Sequence, residues 1–213
     1  MESIYRFPSK FEPHILRKLV HIISGLGIVL IYLLTNIDSL LFSYIVLGAS
    51  ALFTLIEILR LKFDGLNQVF VNACRSVLRD SEVNGFTGTP LFLLGIGLSF
   101  LAFDEQIALL ATIILSLADP ASSFVGIRYG KRKVLEDRTF EGSYACFIMT
   151  FLVVATYGML YFPLSLKIVI FAFFTGVATA FIELLSTKID DNFTLSFFTA
   201  SAMALLNILL VLV

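Results

Sequence analysis

Charge is scarce in this sequence. Lys, Arg, Asp and Glu supply 15% of its 213 residues, against about a quarter in a soluble domain, while 58% of the chain is hydrophobic and its mean hydropathy is +0.95. A water-soluble globule is excluded, and the useful unit becomes the membrane span of about 20 apolar residues. A formal net charge of −1, with no long basic run, leaves nothing that points to nucleic acid. Cysteine is scarce too: Cys74 and Cys146 fall in a predicted cytosolic segment and a predicted span, which rules out a disulfide framework or a cysteine metal cluster. A cleavable signal peptide is not expected, because the first apolar run lacks a small-residue cleavage pattern and leads straight into further spans. Internal repeats and long linkers are also missing, so residues 1–213 are read as a single integral-membrane domain.

What is present is a series of apolar runs: Leu19 to Thr35, Leu40 to Leu59, Phe86 to Phe103, Gln106 to Val125, Ser143 to Phe162, Leu166 to Leu185 and Phe193 to Val213. The fold class expected is all-α, a polytopic membrane bundle of about seven transmembrane helices. The first run is short and is expected to be extended by the HILRK stretch before it. Between the second and third runs, residues 60–84 are too polar to cross, yet Phe63, Leu66, Phe70, Ala73 and Val77 recur at spacings of three and four. That spacing predicts an amphipathic helix in the cytosolic interface, serving as a surface anchor or as a lid for lipid entry.

Lysine and arginine avoid translocated loops. Alternate loops hold 14 of the 15 basic residues, with Lys167 as the exception. The N-terminus is therefore expected in the cytosol and the C-terminus outside. Glu57, Asp119 and Glu183 lie within spans, where an ionisable group needs a partner or a task. All three fall toward the cytosolic ends of their helices, as do the acidic loop residues Glu136, Asp137, Glu141, Asp190 and Asp191. A reaction centre, if there is one, would face the cytosol near the lipid headgroups.

Asp119 precedes Pro120, which predicts a break or kink in the fourth span, with the aspartate either capping a new half-helix or placed for chemistry. Gly126 and Gly130 form a GxxxG pair ahead of Lys131, Arg132 and Lys133, a pattern that suits helix packing or phosphate approach and does not match a P-loop. In RTFEGS, Thr139, Gly142 and Ser143 offer hydroxyls and open backbone, or simply helix caps; Arg138 offers a bidentate fork and Glu141 a base or Mg²⁺ ligand. Glu183, Asp190, Asp191 and Asn192 form an oxygen-rich cluster suited to Mg²⁺ with a nucleotide, or to solvated helix ends. Arg17 and His21, at i and i+4, share one helix face at the boundary and alone read as an interfacial anchor.

Taken in order, RKLVHIISG, LRDSEVNGFTGTPLFLLG, LADPASSFVGIRYGKRK, RTFEGS and IELLSTKIDDNFTLS resemble the CTP-dependent lipid kinases, a family of dolichol and polyprenol, phytol and diacylglycerol kinases. The likeness extends from Arg17 to about Phe198. It implies transfer of the CTP γ-phosphate to a membrane lipid alcohol at the cytosolic face, giving a lipid monophosphate and CDP. It also implies catalytic roles for Asp119, Glu141 and Asp191, with Mg²⁺ held by Asp119, Glu141, Glu183 and Asp191. Nucleotide contacts would come from Arg17, Lys18, His21, Gly126, Gly130, Lys131, Arg138, Thr139, Gly142 and Asn192. The preference for CTP comes from the resemblance alone. Ala118, Ser122, Arg138 and Ser196 stand where the family often has glycine, alanine, lysine and proline. Phosphatidate cytidylyltransferases share part of the pattern, but their later histidine-glycine-glycine signature is absent, since both histidines here are N-terminal. A transporter would need a polar path across the membrane, and the outer halves of the spans carry almost no ionisable residues.

Overall fold

The computed structural model describes residues 14–135, 138–163, 165–186 and 190–210. Nine helices are found among them. Six are long and apolar enough to cross a membrane: α1 (Ile15–Thr35), α2 (Ser39–Lys62), α6 (Glu105–Tyr129), α7 (Phe140–Tyr161), α8 (Leu166–Leu185) and α9 (Asp191–Leu210). The protein is an all-α integral-membrane bundle. A seventh apolar helix, α5 (Thr89–Ala102), has 14 residues and a length of about 21 Å, short of the ~30 Å hydrocarbon core. Residues 86–88, counted in that span from hydropathy, are not helical.

Local chemistry sets the helix ends. The His14 ring accepts a hydrogen bond from the Arg17 amide and opens α1, confirming that the HILRK stretch extends this helix; Asn36, in the left-handed region at φ 50°, closes it. Asp38 then caps α2, taking the amides of Leu40 and Leu41 at 2.9 and 3.1 Å. At the centre stands α6, packed on α1, α5, α7 and α9 and the most buried of the long helices. It closes on Ile96, Ile114, Leu115, Leu195 and Met203.

Three expectations need correction. The fourth span does not break: α6 runs as helix through Pro120, and Asp119 lies inside it instead of capping a new half-helix. Proline removes a single amide hydrogen bond, and the packing of α6 against α1, α5, α7 and α9 keeps the helix continuous through it. The segment from 60 to 84 is not one amphipathic helix. Its first residues finish α2, then α3 (Asp64–Cys74) and the short α4 (Asp80–Val83) follow. Its apolar stripe divides accordingly, with Phe63 and Leu66 exposed and Phe70 lying under the Arg60 guanidinium at 4.4 Å. Finally, β1 (Lys133–Leu135) and β2 (Arg138–Thr139) pair antiparallel between α6 and α7, where no strand was expected. Glu136, Asp137 and Lys188 lie outside the described residues.

Candidate active site

One end of the bundle gathers the start of α1, the second half of α6, the β1–β2 pair, the first turn of α7, the end of α8 and the start of α9. They enclose a cleft of about 300 Å³. Its walls carry six cationic side chains, Arg17, Lys18, Arg79, Lys131, Lys133 and Arg138, against three carboxylates, Asp119, Glu183 and Asp191. Such an excess of cations in a partly buried cleft attracts a polyanion.

The three carboxylates are in different states. Glu183, 2% exposed, is fully engaged: Oε1 accepts from Ser122 Oγ and Arg138 Nη1, both at 2.8 Å, and Oε2 from Ser143 Oγ at 2.8 Å. Asp191 Oδ2 accepts from Arg138 Nη2 at 3.1 Å. Arg138 therefore bridges α8 to α9. Burial opposes its charge, but the carboxylates of Glu183 and Asp191 outweigh that and raise its pKa. Asp119, by contrast, has His21 Nε2 as its partner at 3.9 Å among the described residues, with Arg138 and Lys18 as electrostatic neighbours. His21 itself is fixed, donating to the Leu115 carbonyl at 3.2 Å with its ring edge on Phe92. Lys18 reaches across to Ser123 on α6.

The glycines act through close approach. A Cβ at Gly142 would lie 3.1 Å from the Ser122 carbonyl oxygen and 3.3 Å from Gly126 Cα, so this pair lets the first turn of α7 press against α6. Thr139 packs beside them and caps α7, its hydroxyl taking the Gly142 amide at 3.2 Å. Helix packing, one of the two readings of the GxxxG pair, thus has direct support, while Gly126, Gly130 and Gly142 still line the cleft. Asn192 closes another wall and donates from Nδ2 and its amide to Asp190 Oδ1 at 2.7 and 3.0 Å. Burial, followed by the charge of Asp191, pushes the Asp190 carboxyl above its ordinary range.

Of the residues singled out from sequence, the cleft brings together Arg17, Lys18, His21, Asp119, Gly126, Gly130, Lys131, Arg138, Thr139, Gly142, Glu183, Asp191 and Asn192. It does not include Glu141. That carboxylate accepts the amides of Lys131 and Arg132 at 3.1 and 3.2 Å and pairs with Arg132 Nε at 3.0 Å, bracing the turn before β1. Neither is Glu57 there; it is paired with Arg60 at 2.6 Å. Sequence reasoning missed His14, Arg79, Ser122 and Ser123 as lining residues, while Lys133, read with Lys131 as suited to phosphate approach, is in the cleft wall. Arg79 stands inside the LRDSEVNG motif and Ser122 and Ser123 directly follow Asp119, so those motifs themselves held the signal.

Comparison with known proteins finds three fungal relatives that share one description, "CTP-dependent diacylglycerol kinase 1". The protein of Saccharomyces cerevisiae is 27% identical over 136 residues, 62% of this chain and 46% of the relative. That of Eremothecium gossypii is 29% identical over 97 residues (45% and 31%), and that of Schizosaccharomyces pombe 24% over 94 residues (43% of each). The chain thus aligns with less than half the length of each. No family model and no solved structure matches it. The resemblance to CTP-dependent lipid kinases read from the motifs is therefore found independently in alignments that cover 43–62% of this chain.

Proposed function

We propose that this chain phosphorylates a membrane lipid alcohol, with CTP as donor, at the cytosolic face of the membrane, giving a lipid monophosphate and CDP. Diacylglycerol is the acceptor favoured by the names of the three relatives. The observation that carries the reading is the joint presence, in one cleft, of six cationic side chains and the carboxylate of Asp119, whose nearest partner among the described residues is 3.9 Å away. Orientation follows from the basic loops: the cleft end and the N-terminus face the cytosol, and the C-terminal end of α9 faces outward.

Phosphoryl transfer asks a protein mainly for positioning and for neutralisation of phosphate charge. Arg17, Lys18, Arg79, Lys131 and Lys133 surround the space a triphosphate would take, and Arg138, clamped by Glu183 and Asp191, offers a fixed positive charge beside it. The lipid oxygen attacks the γ-phosphorus, the bond to the β–γ bridging oxygen breaks, and that oxygen leaves on CDP. Asp119 is placed to take the hydroxyl proton. It lies in the second half of α6, ten residues or about 15 Å before the cleft-side end of the helix, so a lipid hydroxyl would meet it without leaving the bilayer.

Mg²⁺ would supply additional charge neutralisation on the phosphates. Among the described residues no group of three or more metal-ligating side chains stands ready, and both oxygens of Glu183 are already bonded. Asp119 and Asp191 nevertheless fit the ion, since Mg²⁺ commonly uses one or two carboxylates with substrate phosphates. Glu141 lies outside this donor set.

The test is turnover of γ-labelled CTP by the purified chain in lipid nanodiscs with diacylglycerol, a polyprenol or phytol. Labelled lipid and CDP in equal amounts are expected, with diacylglycerol the best acceptor. Pyrophosphate in place of CDP would indicate cytidylyl transfer, and no reaction with any of the alcohols would overturn the kinase reading.

A further inference from the structure

The polar stretch between α2 and α5 is fastened from behind, and its fastenings lead to the cleft. Arg60, 2% exposed, bonds Glu57 Oε2 through Nε at 3.0 Å and Nη2 at 2.6 Å. Its other N–H groups reach the carbonyl oxygens of Glu82 at 3.1 Å, Val83 at 3.4 Å and Gly85 at 2.6 Å. Glu57 in turn accepts from the Thr87 amide at 3.2 Å and its hydroxyl at 2.7 Å. A buried ion pair persists only when its remaining hydrogen-bonding capacity is filled. Here the backbone of α4 and its flanks fills it together with Asn67 Oδ1 of α3, which accepts from Arg60 Nη1 at 2.8 Å, so the pair ties α4 to α2 and α3.

From α4 the side chain of Glu82 points the other way. It is 5% exposed and does not line the cleft, yet its Oε2 accepts from the Arg79 amide at 2.9 Å and from Arg17 Nη1 at 2.5 Å. Arg17 Nη1 also donates to the Val77 carbonyl at 3.3 Å. Among the described residues Nε and Nη2 of Arg17 make no hydrogen bond, and Arg17 is part of the cleft wall.

We propose that Glu82 is a positioning residue that holds Arg17 by one nitrogen, so that its other N–H groups face a phosphate of the bound nucleotide. The Glu57–Arg60 pair holds α4 in place behind it. A free arginine must freeze several torsions to take a phosphate, whereas one already anchored freezes fewer, so the gain appears as nucleotide affinity. The inference rests on reading the cleft as a nucleotide site. It also gives the stretch between α2 and α5 a second task beside membrane contact: it carries the residue that aims a cleft cation.

The test measures affinity for a fluorescent CTP analogue, alongside KM and kcat, in the full chain and in Glu82→Gln, Arg17→Ala and the double variant. Glu82→Gln should raise the Kd for the analogue about tenfold, the size of one charge-assisted hydrogen bond, with the acceptor KM changed by less than about twofold. The double variant should bind no more weakly than Arg17→Ala, because Glu82 acts through Arg17. Wild-type affinity in Glu82→Gln, or losses that multiply in the double variant, would overturn the proposal. Should Glu82→Gln fail to fold, Arg17→Lys asks the same question. A lysine cannot present a fork to Glu82 and phosphate together, so its affinity should fall to that of Arg17→Ala, and retained affinity would refute the positioning role. Wild-type protein that binds no CTP analogue would instead bring down the nucleotide reading, and the proposal with it.

Discussion

The two ends of the helix bundle are built from the same apolar rods but finished differently. At the far end Asp104, Glu105, Tyr157, Phe171, Met203 and Asn207 help to line a cavity of about 550 Å³, larger than the cleft and mostly apolar. One of its two acids is tied into packing: Glu105 accepts from the Tyr32 hydroxyl at 2.7 Å, and the Tyr32 ring sits with Phe42 and Phe100 at centroid separations of 4.8 and 4.9 Å, while Asp104 is exposed and makes no side-chain cap bond to α6. At the cleft end a smaller space holds six cations and a carboxylate whose nearest partner among the described residues is 3.9 Å away. Cavity size therefore does not identify the reacting end. Charge gathered at one end, around the half-buried Asp119, does.

The largest expected effect is on that acid. Asp119→Asn keeps the shape of a side chain inside a continuous helix, so the melting temperature should stay near wild type while turnover falls by about 10²–10⁴-fold, the usual worth of a general base. Turnover within a few fold of wild type would leave the two ends chemically equivalent. Next is the brace behind α4. Arg60→Met strands the buried Glu57 carboxylate and should cost about 3–5 kcal/mol in a reversible unfolding measurement, whereas Tyr32→Phe at the far end removes one hydrogen bond and should cost about 1 kcal/mol. Equal losses would show that the polar network carries no more load than the aromatic cluster.

A smaller effect is expected from pH. The His14 ring accepts the Arg17 amide, which requires it to be neutral, and burial followed by the Arg17 charge lowers its pKa. The unfolded chain then takes up the proton first, so this contribution to stability is complete above the ordinary histidine value of about 6.5 and declines as pH falls through it. His14→Asn should flatten that slope in melting curves taken from pH 8 to 5. Smallest is Glu141→Gln. With its carboxylate bracing an exposed turn outside the cleft, its turnover should drop less than about tenfold, the scale of a single hydrogen-bonding defect. A loss matching that of Asp119→Asn would return Glu141 to the reaction centre.

The spans were legible in the sequence because apolar length is a local property, and Asp119, Arg138, Glu183 and Asp191 were legible because ionisable groups near spans are few. The stretch from 60 to 84 was misread because its helical spacing carries no record of Arg60, whose bonds reach Glu82 and Gly85 across 22 and 25 residues. Pro120 suggested a break because a sequence does not display the helices packed around α6, which runs on through it. The β1–β2 pair, with two residue pairings, is too short to leave a period-two pattern. Arg17 was found only as an anchor or through resemblance, since the partner that aims it is 65 residues away.

The central claim is that one end alone takes CTP, and site-directed labelling tests it most directly. In a chain with Cys74 and Cys146 replaced, Lys133→Cys and Asp104→Cys are each exposed to a membrane-impermeant thiol reagent in sealed vesicles of known orientation. The account predicts labelling of the two positions from opposite sides, with CTP protecting position 133 and leaving position 104 unchanged. Labelling of both from the same side, or equal protection of both by CTP, would contradict it.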